Sequence, residues 1–83
     1  MDRLEHELVS LRNGKQYFVL EEVLYEYDTY NLVLNVEDEN DIKIVLQEIK
    51  NGKTVLSPVE DKRVLSNLSS IFEDKIRKTQ ENL

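Results

Sequence analysis

The chain has 83 residues, 17 acidic and 11 basic, a formal net charge of −6 and no cysteine. The missing thiols exclude disulfides, thiolate metal sites and cysteine nucleophiles. The negative balance argues against binding nucleic-acid phosphates or an anionic membrane face, and it suits a basic protein partner.

A chain of this length is expected to form one domain, 1–83, with a small core and little room for a large buried cavity. Gly and Pro together number three, and 40% of the residues are hydrophobic, a globular composition. The N-terminal MDRLEHELVS scatters its charges instead of placing a basic start before an apolar run. No segment reaches membrane-spanning length, so a soluble, cytoplasmic protein is expected.

Two Asn-Gly pairs, Asn13-Gly14 and Asn51-Gly52, organise the first two thirds of the chain. Both central residues of a type I′ turn need φ > 0, which Asn and Gly tolerate best, so each pair predicts a two-residue hairpin. The first hairpin would set Arg12 opposite Lys15, Val9 opposite Phe18, Leu8 opposite Val19 and His6 opposite Glu21. The second strand continues as QYFVLEEVLYEY, where apolar parity shifts from Phe18 and Leu20 to Val23, Tyr25 and Tyr27. A one-residue shift turns side chains to the other face, so a β-bulge or bend is expected near Glu21-Glu22.

A turn is expected at DTY, 28–30, followed by a strand with Tyr30, Leu32, Leu34 and Val36 on one face. EDEN, 37–40, reads as a polar loop, and DIKIVLQEI as a fourth strand. Asn51-Gly52 would pair that strand with KTVLS, placing Ile49 opposite Thr54 and Gln47 opposite Leu56. Pro58 cannot donate to a ladder and ends the fifth strand. A helix over about 61–78, with a frayed tail, follows from an Asp61 or Glu60 cap and from Val64, Leu65, Leu68, Ile71, Phe72 and Ile76 at helical spacing. Glu73 with Arg77, and Asp74 with Lys78, are favourable i,i+4 pairs.

The expected fold is α+β: four or five antiparallel strands, within 5–57, in sequence order, with one C-terminal helix across one face. Ile42, Ile44 and Leu46 point one way while Val45 and Ile49 point the other, joined by Leu56 and Val33. One helix covers one face only. Either the sheet curls into a small barrel that takes in the second set, or Val33, Val45, Ile49 and Leu56 form an interface.

No cluster carries a catalytic, cofactor-binding or metal signature. His6, the one histidine, has no nucleophile partner and reads as a surface residue opposite Glu21. Glu37, Asp38, Glu39 and Asp41 lack the alternating ligands and central Gly of an EF-hand and read as a solvated hairpin tip. Glu21, Glu22, Glu26 and Asp28 form a second acidic group, more readily a polar surface than an acid/base pair in a cleft. Tyr17, Tyr25, Tyr27, Tyr30 and Phe18 are ordinary strand residues, since stacking modules for RNA also carry a basic surface. No glycine-rich phosphate loop or nucleophile elbow is present.

Several features together resemble the YrzB-like family of small acidic bacterial proteins, a family without an established activity. These are the NGK turn, the VL pair before an acidic and aromatic strand, YNLVLNVEDEND, and the LSPVEDKRVLSNLSSIFEDKI junction and helix. Lys62 and Arg63 make the helix start less acidic than that pattern. The resemblance implies fold and bacterial origin and no reaction. The expected function is therefore a non-enzymatic protein-interaction or regulatory module, in its simplest version a homodimer, with both acidic groups at the rim. The alternative is an acidic inhibitor that presents carboxylates in place of phosphates to a basic enzyme surface.

Overall fold

The computed structural model describes residues 6–81. Five strands, β1 (Leu8–Ser10), β2 (Gln16–Tyr25), β3 (Asp28–Asn35), β4 (Asp38–Lys50) and β5 (Lys53–Pro58), precede one helix, α1 (Lys62–Glu81). The strands pair antiparallel in the order β1-β2-β3-β4-β5, and the sheet curls into a half-barrel with α1 on one face. This is the α+β meander that strand alternation and the helical stripe imply.

Turn chemistry sets each register. Asn51 and Gly52 both have positive φ, and Lys50 pairs with Lys53, a two-residue type I′ turn that yields the expected Ile49–Thr54 and Gln47–Leu56 partners. Asn13-Gly14 behaves differently. Gly14 alone takes positive φ, its N–H donates to the Leu11 carbonyl at 3.0 Å, and Leu11 N–H donates to the Lys15 carbonyl. That is a three-residue loop, a type I turn closed by a left-handed glycine. Leu8 therefore faces Phe18, Val9 faces Tyr17 and Ser10 faces Gln16, one residue away from the register a two-residue turn would impose. The expected His6–Glu21, Leu8–Val19, Val9–Phe18 and Arg12–Lys15 pairs do not form.

The turn between β2 and β3 also falls elsewhere than DTY. Glu26 and Tyr27 occupy it, both with positive φ, and Tyr25 pairs with Asp28, so Asp28, Thr29 and Tyr30 lie in β3. Neither residue favours that conformation, and local propensity loses here to the pairing that seats Val23 beside Tyr30 beneath the helix. The bulge that the parity shift requires sits at Leu20, just before Glu21: Val19 pairs with Val33 and Glu21 with Leu32. β4 starts at Asp38, earlier than the polar loop suggested. Asn35 pairs with Asp38, and the register slips by three residues before Ile42 pairs with Leu34.

Asp61 caps the helix, its Oδ1 accepting from the N–H groups of Arg63 (2.9 Å) and Val64 (3.2 Å). Leu68 and Phe72 are buried against Tyr30 and Ile44, with Val23, Tyr25, Leu32, Leu46, Val59, Val64 and Leu65 packed around them. Lys75 anchors the far end of α1 to β2, pairing with Glu21 at 3.3 Å and donating to the Glu22 carbonyl. Asp74 and Lys78 form the expected i,i+4 pair at 3.3 Å.

The opposite face holds a second cluster: Leu11, Tyr17, Val19, Val33 and Val45, with Val9 and Leu56 against it. Val9 belongs to one edge strand and Leu56 to the other. Both reach the same cluster because the sheet curls toward that side. Val33 and Val45 are fully buried there, so they are interior residues and no part of an open face; Leu56 is half-buried and Ile49 exposed. Curling takes in Val33 and Val45 and part of Leu56 without a second layer, and leaves Ile49 outside.

Candidate functional site

The meander places successive turns at alternate ends of the sheet. The β1–β2 loop and the β3–β4 turn share one end; Glu26-Tyr27 and Asn51-Gly52 share the other. Across β3 the two ends lie about 23 Å apart at ~3.3 Å per residue. Glu26 and Asp28 therefore stand far from Glu37, Asp38 and Glu39. Glu21 is bound to Lys75, and Glu22 carries the lysine on its carbonyl. The two acidic groups do not join into one rim.

Asp41 lies apart from both groups, on the inner face. Its Oδ2 accepts from the Tyr17 hydroxyl at 2.6 Å and from Asn35 Nδ2 at 3.1 Å, and its Oδ1 pairs with Lys43 Nζ at 2.9 Å. Asn13 Nδ2 donates to the Tyr17 oxygen at 3.0 Å, and the Lys43 amine stands 6.0 Å from the Tyr17 ring centre. The hydroxyl of Tyr17, then Asn35 and Lys43, hold the Asp41 carboxyl well below the usual carboxylate range, and Asp41 in turn raises Lys43. The remaining amide oxygens accept backbone N–H groups, Asn13 Oδ1 from Lys15 and Asn35 Oδ1 from Glu37, and the network fastens the β1–β2 loop to β3 and β4.

Farther along the same face, Asn31 is fully buried and its Nδ2 donates to Gln47 Oε1 at 2.7 Å. Tyr25 and Tyr30 meet edge to face beneath α1, and Asn67 donates to the Tyr25 hydroxyl at 3.0 Å. Desolvation, then Asp28, raises the Tyr30 phenol. Phe18 lies near the exposed His6, ring centres 6.2 Å apart. Tyr27 is fully exposed at its turn. Among the described residues no three His, Cys, Asp or Glu side chains gather as a metal set, and no helix is long and apolar enough to cross a membrane.

The surface least explained by folding lies on the helix-bearing face, beyond the helix. Leu8 pairs with Phe18, Phe18 with Leu34, and Leu34 with Ile42, a continuous apolar row across four strands. Leu8 is 60% and Ile42 54% exposed, while Phe18 and Leu34 are half-buried. A groove of about 270 Å³ separates Ile42 from the α1 flank formed by Ser69, Phe72, Glu73 and Ile76. On its other side the row opens into a depression of about 550 Å³ bounded by Val36, Glu37, Asp38 and Glu39. The acidic turn is held by its own side chains: Glu37 N–H donates to Asn35 Oδ1 at 2.8 Å and Asn40 N–H to Asp38 Oδ1 at 3.0 Å.

Of the four residues expected at an interface, Val33 and Val45 are buried by the curl, Leu56 is half-buried and Ile49 is 66% exposed. The row on the helix-bearing face also has a signal in the sequence. Leu32 and Leu34 on β3, and Ile42, Ile44 and Leu46 on β4, share one parity over more length than a helix about 10 Å wide can cover. No family model, curated protein or solved structure matches the chain.

Proposed function

We propose that this protein is a non-enzymatic protein-binding module whose contact surface is the row Leu8–Phe18–Leu34–Ile42. One observation carries the reading: an aligned apolar row stays partly in water although the same chain buries apolar residues on both faces of its sheet. Single exposed apolar residues are common, whereas an aligned row rimmed by charge is characteristic of an interface.

The acidic-inhibitor reading receives less support, because it needs Glu21, Glu22, Glu26 and Asp28 on one face with Glu37 to Asp41, whereas Glu21 is paired with Lys75 of the helix and Asp41 is turned to Tyr17 and Lys43 on the inner face. A cytoplasmic setting suits a cysteine-free chain of this kind. The test is site-specific photo-crosslinking in cells, with the reactive group at position 42 or, as a control, at exposed position 63 on the helix. A discrete protein adduct from position 42, absent from position 63 and lost on Phe18→Asp, supports the reading. Equal labelling from both positions, or none from position 42, overturns it.

A further inference from the structure

Resting on that reading, we infer that the occupant of the row is an amphipathic helix of a partner protein, apolar on one side and lysine- or arginine-rich along a flank. The shape of the free strip comes first. α1 crosses the sheet from the β4–β5 side, where Val59 N–H donates to the Ile44 carbonyl, to β2, where Lys75 meets Glu21 and Glu22. The row Ile42, Leu34, Phe18, Leu8 crosses the strands in the same sense, from β4 to β1. It therefore runs alongside α1.

Its spacing from α1 is that of a neighbouring helix. Leu34 and Ile42 lie two residues along their strands from Leu32 and Ile44, which pack against α1, a step of about 7 Å. Packed helices sit about 8–10 Å apart. Four strands span about 14 Å, the length over which a helix of about ten residues presents anchors at i, i+3 or i+4, and i+7. One wall of the strip is already the side of a helix, formed by Phe72 and Ile76.

Charge decides between a second copy and a different chain. Glu37, Asp38 and Glu39 are exposed along the outer wall and form no ion pair among the described residues, and Glu73 lies on the inner wall. Lys43, the lysine next to Ile42, has its amine on Asp41 at the opposite face. A second copy would bring another six net negative charges toward this rim. A basic helix flank is complementary to it, steering association and setting orientation.

Three synthetic peptides of about 18 residues test the inference against the purified protein by two-dimensional NMR titration: an amphipathic Leu/Lys helix, the same helix with Glu for Lys, and a scramble of the Leu/Lys sequence. The ordered basic helix is expected to perturb the amides of Phe18, Leu34 and Ile42 and to bind about tenfold more tightly than either control. Combined Glu37→Gln, Asp38→Asn and Glu39→Gln should weaken it about tenfold and flatten its salt dependence. Ile42→Glu should abolish binding. Leu8→Glu, at the more exposed end of the row, repeats that test if Ile42→Glu unfolds the protein.

Equal binding of the scramble, perturbation centred away from the row, or a stable dimer by sedimentation with the row protected from exchange overturns the helical partner. If the peptides fail while the adduct from position 42 persists, the association reading stands and only the partner class falls. Loss of both removes both.

Discussion

Val45→Ala measures how the second face of the sheet is closed. Val45 is fully buried among Leu11, Tyr17, Val19 and Val33, and its ladder neighbours are Asn31 and Pro58. The substitution removes two carbons, about 1.6 kcal/mol at ~0.8 per buried group. A residual cavity of up to roughly 50 Å³ adds about 1 kcal/mol at ~24 cal/mol per Å³. The expected loss is about 2–3 kcal/mol, from a domain whose total stability is about 4–12 kcal/mol at ~0.05–0.15 per residue. At ~4–8 °C per kcal/mol, Tm falls by roughly 10–20 °C.

The assay is urea unfolding followed by far-UV circular dichroism, with m unchanged between variants. Ile42→Ala is the internal control. More than half exposed, Ile42 loses only part of its transfer energy and leaves no closed cavity, about 1 kcal/mol or less. If Val45→Ala costs less than about 0.5 kcal/mol, the range of ordinary surface substitutions, or no more than Ile42→Ala, the curled interior does not exist and the open-face alternative returns.

Asp61→Ala should cost about 1 kcal/mol, because two N–H groups of the first helical turn lose their acceptor, read as a lower urea midpoint. Tyr27→Gly should stabilise the protein by up to about 1 kcal/mol, since Tyr27 is fully exposed and holds positive φ, and glycine meets no steric penalty there; a destabilised variant would show that the ring makes a contact. Asp41 supplies a pH dependence. Its folded-state pKa is depressed, so its contribution is fully present above the unfolded value of about 4 and is lost as pH falls toward the folded value. Asp41→Asn should therefore be less stable than the parent at neutral pH and should lose less on acidification from about pH 5 to 2, with thermal melts across that range as the check.

Much of the architecture is readable from local pattern. Period-two alternation, Asn51-Gly52, Pro58 and the helical stripe from Val64 to Ile76 name the strands, one hairpin register, a strand end and the helix, because each depends on φ, on a missing N–H or on side-chain direction. The parity change after Leu20 called for a bulge for the same reason, and one is there.

Three outcomes needed the assembled fold. Asn13-Gly14 adopts a three-residue loop, which moves the β1 register by one, because Tyr17 of the inner core then receives the Asn13 amide and donates to Asp41, 24 residues away. Glu26 and Tyr27 accept positive φ because that turn seats Val23 and Tyr30 under α1. Val33 and Val45 become interior because the two edge strands bring Val9 and Leu56 to the same cluster.

The candidate site follows from the last of these. Parity in the sequence determined that both faces of the sheet are apolar. Which face keeps an open row was decided by sheet curvature and by where a single helix about 10 Å wide comes to rest, both of which depend on packing among residues distant in the chain.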